Sequence, residues 1–226
     1  MQCKPRFLIA YTFAIIIISA LITTGYFHYF VLGNSGSPEN EVPALQSVSD
    51  EQVKNSPIKD KNTIVEVFSY GCHYCALNES NVKELENRMP AGTRFVRIHI
   101  SNEQHSGLAS YASVFATLTV MGIESQHRDS AYDAVIKKNI DLADKKQLND
   151  WLSANGIDVE AYAKASESAE SQALMSYMTS VSRFYTLRAT PTFIVGKKWL
   201  ATQDRDFPEF SDHLLSLLEH DKPLEK

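Results

Sequence analysis

Thr63-Ile64-Val65-Glu66-Val67-Phe68-Ser69-Tyr70-Gly71-Cys72-His73-Tyr74-Cys75 is the stretch that decides the fold. Its first six residues are β-branched, aromatic or apolar except for Glu66. That near-continuous apolar run predicts a central strand covered on both faces. Gly71 punctuates it, and a helical pattern starts at the cysteines. Cys75, Val82, Leu85 and Met89 share one face of that helix, and Pro90 closes it.

A C-x-x-C pair on the first turn of a helix has a direct chemical use. Unpaired backbone N–H groups at the positive end of the helix dipole stabilise a thiolate. The lowered pKa makes the first sulfur a good nucleophile and a good leaving group. Cys72 is therefore expected to face solvent and to attack, with Cys75 the buried resolving sulfur. A protonated His73 would favour the Cys72 thiolate further. Glu66 interrupts an apolar strand, and Glu79 lies four residues after Cys75. Both are expected near the buried sulfur, as groups that exchange a proton with Cys75, because a buried carboxyl holds its proton more tightly.

Outward from this stretch, Phe95–Ile100 reads as a second strand. A helical block follows over about 104–187, its faces marked by Leu108/Phe115, Tyr132/Ile136, Trp151/Leu152 and Met178/Tyr185. Asn155-Gly156 is a left-handed helix stop. Thr192–Val195, a turn at Gly196-Lys197, and Lys198-Trp199-Leu200 read as a hairpin. A final amphipathic helix carries Phe207, Phe210, Leu214, Leu217 and Leu218.

Upstream, Phe7–Leu32 holds no Asp, Glu, Lys or Arg, which is enough length to span a bilayer. Lys4 and Arg6 precede the run. Positive flanks stay in the cytoplasm, which predicts residues 1–6 inside, a 7–32 anchor, and the rest exported. A cleaved signal peptide is the competing reading, and it exports the same remainder. Residues 33–62, with Gly33, Gly36, Pro38, Pro43 and Pro57, read as a periplasmic tether, with a short helix near Asp50–Lys54. The domain proper is placed at 63–220.

The net charge of −5 offers nothing to a phosphate backbone, which argues against nucleic-acid binding. Three cysteines are too few for a disulfide scaffold. Cys3, before the apolar run, reads as an inert thiol. Zinc is the structural alternative for C-x-x-C, but it needs four ligands; no second cysteine pair exists, and His99, His105 and His127 lack the usual spacing. Neither a metal nor another cofactor is expected.

Phe68–Cys75, with Arg188-Ala189-Thr190-Pro191-Thr192-Phe193-Ile194-Val195-Gly196 far downstream, resembles the DsbA family of thiol:disulfide interchange proteins. The resemblance covers roughly 62–220 and implies an α/β thioredoxin-like fold with a helical insertion between its second and third strands. It implies that Pro191 is a cis-proline facing the cysteines, and that the Thr190 backbone pairs with an extended substrate segment by strand addition. Tyr74, between the cysteines, is counted with them on the substrate side. Glu66 and Glu79 match the family's buried acids. The lysine that pairs with those acids in family oxidases has no counterpart here; Arg94 and Arg97 are the substitutes.

The function implied is an oxidoreductase that introduces disulfides into cysteine-containing exported proteins. It would sit in the bacterial inner membrane with its catalytic domain in the periplasm, and a membrane redox partner of the DsbB type would reoxidise it. The alternatives are a reductase or isomerase served by a reducing membrane donor, and a membrane-tethered chaperone or assembly factor.

Overall fold

The computed structural model describes residues 5–32 and 43–224, with side chains over 11–29 and 43–224. Cys3, Lys4, the Arg6 side chain and the 33–42 part of the expected tether lie outside those described residues. The chain forms two units, 1–43 and 44–226.

The first unit is helix α1 (Pro5–Tyr26), continued by a π-helical turn over Phe27–Leu32. Within it Tyr11–Tyr29, 19 residues, is long and apolar enough to cross a membrane.

The second unit is built on five strands: β1 (Leu45–Ser47), β2 (Thr63–Phe68), β3 (Arg94–His99), β4 (Thr192–Val195) and β5 (Trp199–Ala201), ordered β1-β5-β4-β2-β3. β2 runs parallel to β3 and antiparallel to β4; the remaining pairs are antiparallel. All six residues of β2 are buried, as its apolar run requires. The period of two sends Ile64 to one face and Val65 and Val67 to the other. On the first face lie α4 (Glu79–Asn87) with Val82 and Leu85, and α10 (Phe207–His220) with Phe207, Phe210 and Leu214. The other face packs on the helical insertion.

That insertion comprises α5 (Ala112–Val120), α6 (Glu124–Tyr132), α7 (Lys145–Ala154), α8 (Val159–Ser166) and α9 (Ala169–Phe184), all between β3 and β4. α7 stops where Gly156 adopts φ +70°, and the Ile157 N–H closes on Leu152 O at 2.9 Å. The β4–β5 turn has positive φ at both Gly196 and Lys197, a twist that suits a two-residue hairpin. This is the thioredoxin-like fold with a helical insertion.

Two expectations are corrected. The tether does not run to residue 62, since β1 pairs with β5; the short helix expected near Asp50–Lys54 is present as α2 (Asp50–Asn55), behind a Ser49–Gln52 capping box. An edge strand of three residues leaves no alternation to read; flanking backbone bonds hold it, Thr202 N to Ala44 O at 2.8 Å and Val48 N to Lys198 O at 2.9 Å, with Leu45 and Val48 packed on the core. The helix expected to run from the cysteines to Pro90 is divided at Asn78 into α3 (His73–Leu77) and α4. The Asn78 side-chain amide donates to Tyr74 O at 3.1 Å, and such a local bond competes with helix continuation.

Tyr185, at the end of α9, fastens the insertion to the sheet. Its hydroxyl donates to Lys197 O at 2.8 Å and lies 2.7 Å from Ser56 Oγ. Ser56 Oγ also accepts from Ile58 N at 3.1 Å. Tyr185→Phe should lower the unfolding free energy by roughly 1–3 kcal/mol in urea titrations, because the Lys197 carbonyl loses its donor and the buried Ser56 hydroxyl loses one of its two bonds. A loss under about 0.5 kcal/mol would show that Tyr185 is dispensable to this joint.

Candidate active site

β2 ends at Phe68, and the chain turns over Ser69–Gly71 into α3. Ser69 Oγ donates to Leu108 O at 2.7 Å and accepts from Gly71 N at 3.1 Å, tying this turn to the start of the helical insertion. A Cβ on Gly71 would come into van der Waals contact with the Tyr111 ring at 3.4 Å, so this turn lies against the insertion.

Cys72 is the N-cap of α3, and its sulfur accepts the Cys75 N–H at 3.1 Å. A donor normally capped by a hydroxyl or carboxylate oxygen here points at sulfur, the arrangement that stabilises a thiolate. Cys72 and Cys75 are joined as a disulfide with Cα atoms 5.2 Å apart. The Thr190–Pro191 peptide is cis, and Thr190 O lies 3.3 Å from Cys72 Sγ. Thr190 Oγ1 is buried without a hydrogen-bond partner.

The expectation of a solvent-facing Cys72 needs correction. The residue is only 5% exposed, against 1% for Cys75. The cause is the Thr190–Pro191 segment lying over it, a contact between positions 118 residues apart. His73, Tyr74 and Leu77 are exposed around this opening.

Beneath the surface the two acids are held by arginines. Glu66, 2% exposed in its side chain, lies 3.1 Å from Arg97 Nε, its register partner on β3. The two are paired by charge rather than by an aligned hydrogen bond, since both atoms lack one. Glu79 accepts from Arg97 Nη1 at 2.5 Å and from Arg128 Nη1 at 3.1 Å. Neither carboxyl is hydrogen-bonded to Cys75 in this oxidised form. Of the two substitutes for a buried lysine, Arg97 joins the acids, whereas Arg94 pairs at the surface with Asp60. Burial pushes Glu66 up to about 7; Arg97 pulls against it, and Glu79 adds to it.

Several participants are not visible from sequence. Arg128 and Glu124 belong to α6, and an i,i+4 Glu–Arg pair ordinarily marks a solvated helix face. Tyr70 donates its hydroxyl to Glu124 Oε1 at 2.9 Å. His99 is buried, and its Nε2 accepts from Tyr70 N at 3.1 Å, so the proton sits on Nδ1 and is given to Ile100 O at 2.8 Å. Burial lowers its pKa to about 4. With both nitrogens engaged, His99 is unfit as a metal ligand, and the described residues contain no cluster of three metal-binding side chains.

Glu66 ordinarily titrates at 4.5, and in the fold at about 7. Between those values the folded chain holds more protons than the unfolded one. Its contribution therefore falls as pH rises through that window, and the loss is complete above the folded pKa. Glu66→Gln removes the effect. The variant-minus-parent difference in unfolding free energy should climb from about pH 4.5 to about pH 7 and then level off; a flat difference would refute a high Glu66 pKa.

The chain is similar to the thiol:disulfide interchange protein DsbA of Pseudomonas aeruginosa, with 26% identity over 140 residues, 62% of this chain and 65% of that protein. The match thus spans somewhat under two thirds of that relative's length. Among solved structures, a DsbA variant from Pseudomonas aeruginosa superposes with a TM-score of 0.65 at 22% identity, over 76% of this chain and 94% of that one. The oxidoreductase NmDsbA1 from N. meningitidis gives 0.63 at 21% identity, over 79% and 91%. The family model of the DSBA-like thioredoxin domain matches residues 88–215, which include the helical insertion and the cis-proline segment and begin after Cys75. By that match over more than half its length, in the fold already described, the chain belongs to the DSBA-like thioredoxin domain family.

Proposed function

We propose that this protein is a thiol:disulfide oxidoreductase that puts disulfides into exported, cysteine-containing proteins. The observation that carries the reading is the Cys72 sulfur, capped by the Cys75 N–H at 3.1 Å and set against the carbonyl of the cis Thr190–Pro191 peptide at 3.3 Å.

A substrate thiolate attacks Cys72 Sγ, the intramolecular S–S bond breaks, and Cys75 leaves as a thiolate that takes up a proton. A second substrate thiolate then attacks the substrate sulfur of the mixed disulfide. Cys72 leaves with the electron pair, stabilised by the helix-start N–H. The substrate dithiol loses two electrons and two protons; the enzyme disulfide takes both electrons, Cys75 takes one proton, and the other goes to solvent while Cys72 stays a thiolate. Glu66, buried and with a pKa of about 7, supports the proton transfer at Cys75. The Thr190 backbone and the exposed Tyr74 form the substrate side, where an extended segment adds as a strand. His73 supports the thiolate when protonated, and Glu79 acts on Glu66 through the shared Arg97.

The apolar Tyr11–Tyr29 span supports anchoring in the bacterial inner membrane, with residues 1–6 cytoplasmic and the domain in the periplasm. Anchoring would concentrate the domain near a membrane redox partner of the DsbB type.

Cys72→Ser should abolish disulfide transfer to a reduced client, and Cys75→Ser should accumulate a mixed disulfide through Cys72. The direction of electron flow is read from the equilibrium potential against glutathione. A value well above that of thioredoxin, about −270 mV, fits an oxidase. One near it would make the protein a reductase or isomerase. The anchor is tested by alkaline carbonate extraction of the full chain: a domain released to the supernatant with a shortened N-terminus would mean that the apolar segment is a cleaved signal.

A further inference from the structure

The acid on β2 belongs to a chain of charges that crosses from the sheet into the helical insertion. Glu66 pairs with Arg97, and Arg97 with Glu79 on the first turn of α4. Glu79 also takes Arg128 of α6, and Arg128 binds Glu124 through both Nε and Nη2. Glu124 finally accepts from Tyr70, two residues before Cys72. Two guanidinium groups thus serve three carboxylates. The arrangement is sheltered: side-chain exposure is 8% for Arg97 and 15% for Arg128. At such positions charge is weakly screened and an unbalanced charge is costly.

We infer that Arg128 is a positioning residue of the redox centre: by sharing Glu79 with Arg97 and holding Glu124, it offsets the negative charge that Arg97 alone would face, so that the helical insertion governs whether Glu66 keeps its proton. The argument is one of charge balance. Arg97 alone lies between two carboxylates and neutralises only one. Arg128 supplies the second positive charge. With it, three carboxylates face two guanidinium groups, one negative charge in excess; without it the excess is two, and the added repulsion favours a proton on one of them. Glu66, 2% exposed, has the least access to water and takes that proton first.

The groups that act on Glu66 are Arg97 from β3, Glu79 from α4, and Arg128 and Glu124 from α6. Tyr132, at the end of α6, feels the charge of Glu66 and Glu79 in turn. The β4 partner, Phe193, is apolar. Burial raises the pKa of Glu66 to about 7; Arg97 and Arg128 lower it, and the two carboxylates raise it, the signs this charge balance demands. The consequence for disulfide exchange rests on the proposed role of Glu66 in handling the Cys75 proton.

The test is carboxyl titration of Glu66 by carbon NMR, on the full oxidised chain in detergent micelles, with Glu66→Gln used to assign the signal. Arg128→Met should raise the proton affinity of Glu66 by about tenfold, one pH unit. Arg128→Lys, which keeps the charge, should restore most of the parent value. Glu124→Gln removes a negative charge and should move the midpoint downward. If Arg128→Met fails to fold, the opposed shifts of Arg128→Lys (slightly up) and Glu124→Gln (down) decide the matter. Midpoints that stay at the parent value in folded variants would overturn the inference and leave Arg128 a structural clamp. The pH midpoint of reduction by glutathione is measured alongside. Should the carboxyl shift while that midpoint does not follow, the role of Glu66 in proton transfer fails and the control by Arg128 stands.

Discussion

The complete burial of β2 is the constraint from which the rest follows. A strand covered on both faces has no route by which a charged side chain can reach water, so Glu66 must be paired inside or hold its proton. The same strand aligns the chemistry. β3 runs parallel beside it and sets Arg97 against Glu66; β4 runs antiparallel on the other side, with Val67 opposite Thr192. The end of β2 therefore meets the start of β4, and the disulfide turn meets the cis Thr190–Pro191 peptide across a short gap.

Buried ion pairs of this kind are seldom a net source of stability, because desolvation offsets much of the Coulombic attraction. Their presence at the junction of α4, α6, β2 and β3 is better understood as tuning. Each carboxylate has an arginine within reach, and each arginine is shared. A cluster with one carboxylate in excess responds to the loss or gain of one charge by shifting a proton, the property a redox centre uses when a thiolate forms and disappears nearby. The Tyr70 hydroxyl and the His99 imidazole close the polar surroundings of the turn before Cys72.

Much of the molecule was legible because its signals are local. The apolar run of β2, the Gly156 helix stop and the Gly196-Lys197 turn all announce themselves within a few residues, and each lies where local physics puts it. The Cys72 N-cap is a matter of spacing along one helix. What escaped was non-local. β1 has three residues and no pattern of its own; only its partner β5 makes it a strand. An i,i+4 Glu124–Arg128 pair has the pattern of a surface pair, and only the reach of Arg128 to Glu79 of α4 draws it into the site. The burial of Cys72 is likewise non-local, because its cover comes from 118 residues away.

By itself the sequence determined that an apolar strand leads into a C-x-x-C helix start, that a helical block separates it from the Thr-Pro strand, and that a membrane-length apolar segment precedes both. These are properties of short windows, set by side-chain shape, periodicity and capping. Only the tertiary structure decided which arginine meets the buried acids: Arg97 joins Glu66 across the β2–β3 register, while Arg94, three residues earlier and on the other side of the pleat, goes to the surface. Partner choice among charges depends on distance and dielectric in three dimensions, and neither quantity is written along the chain.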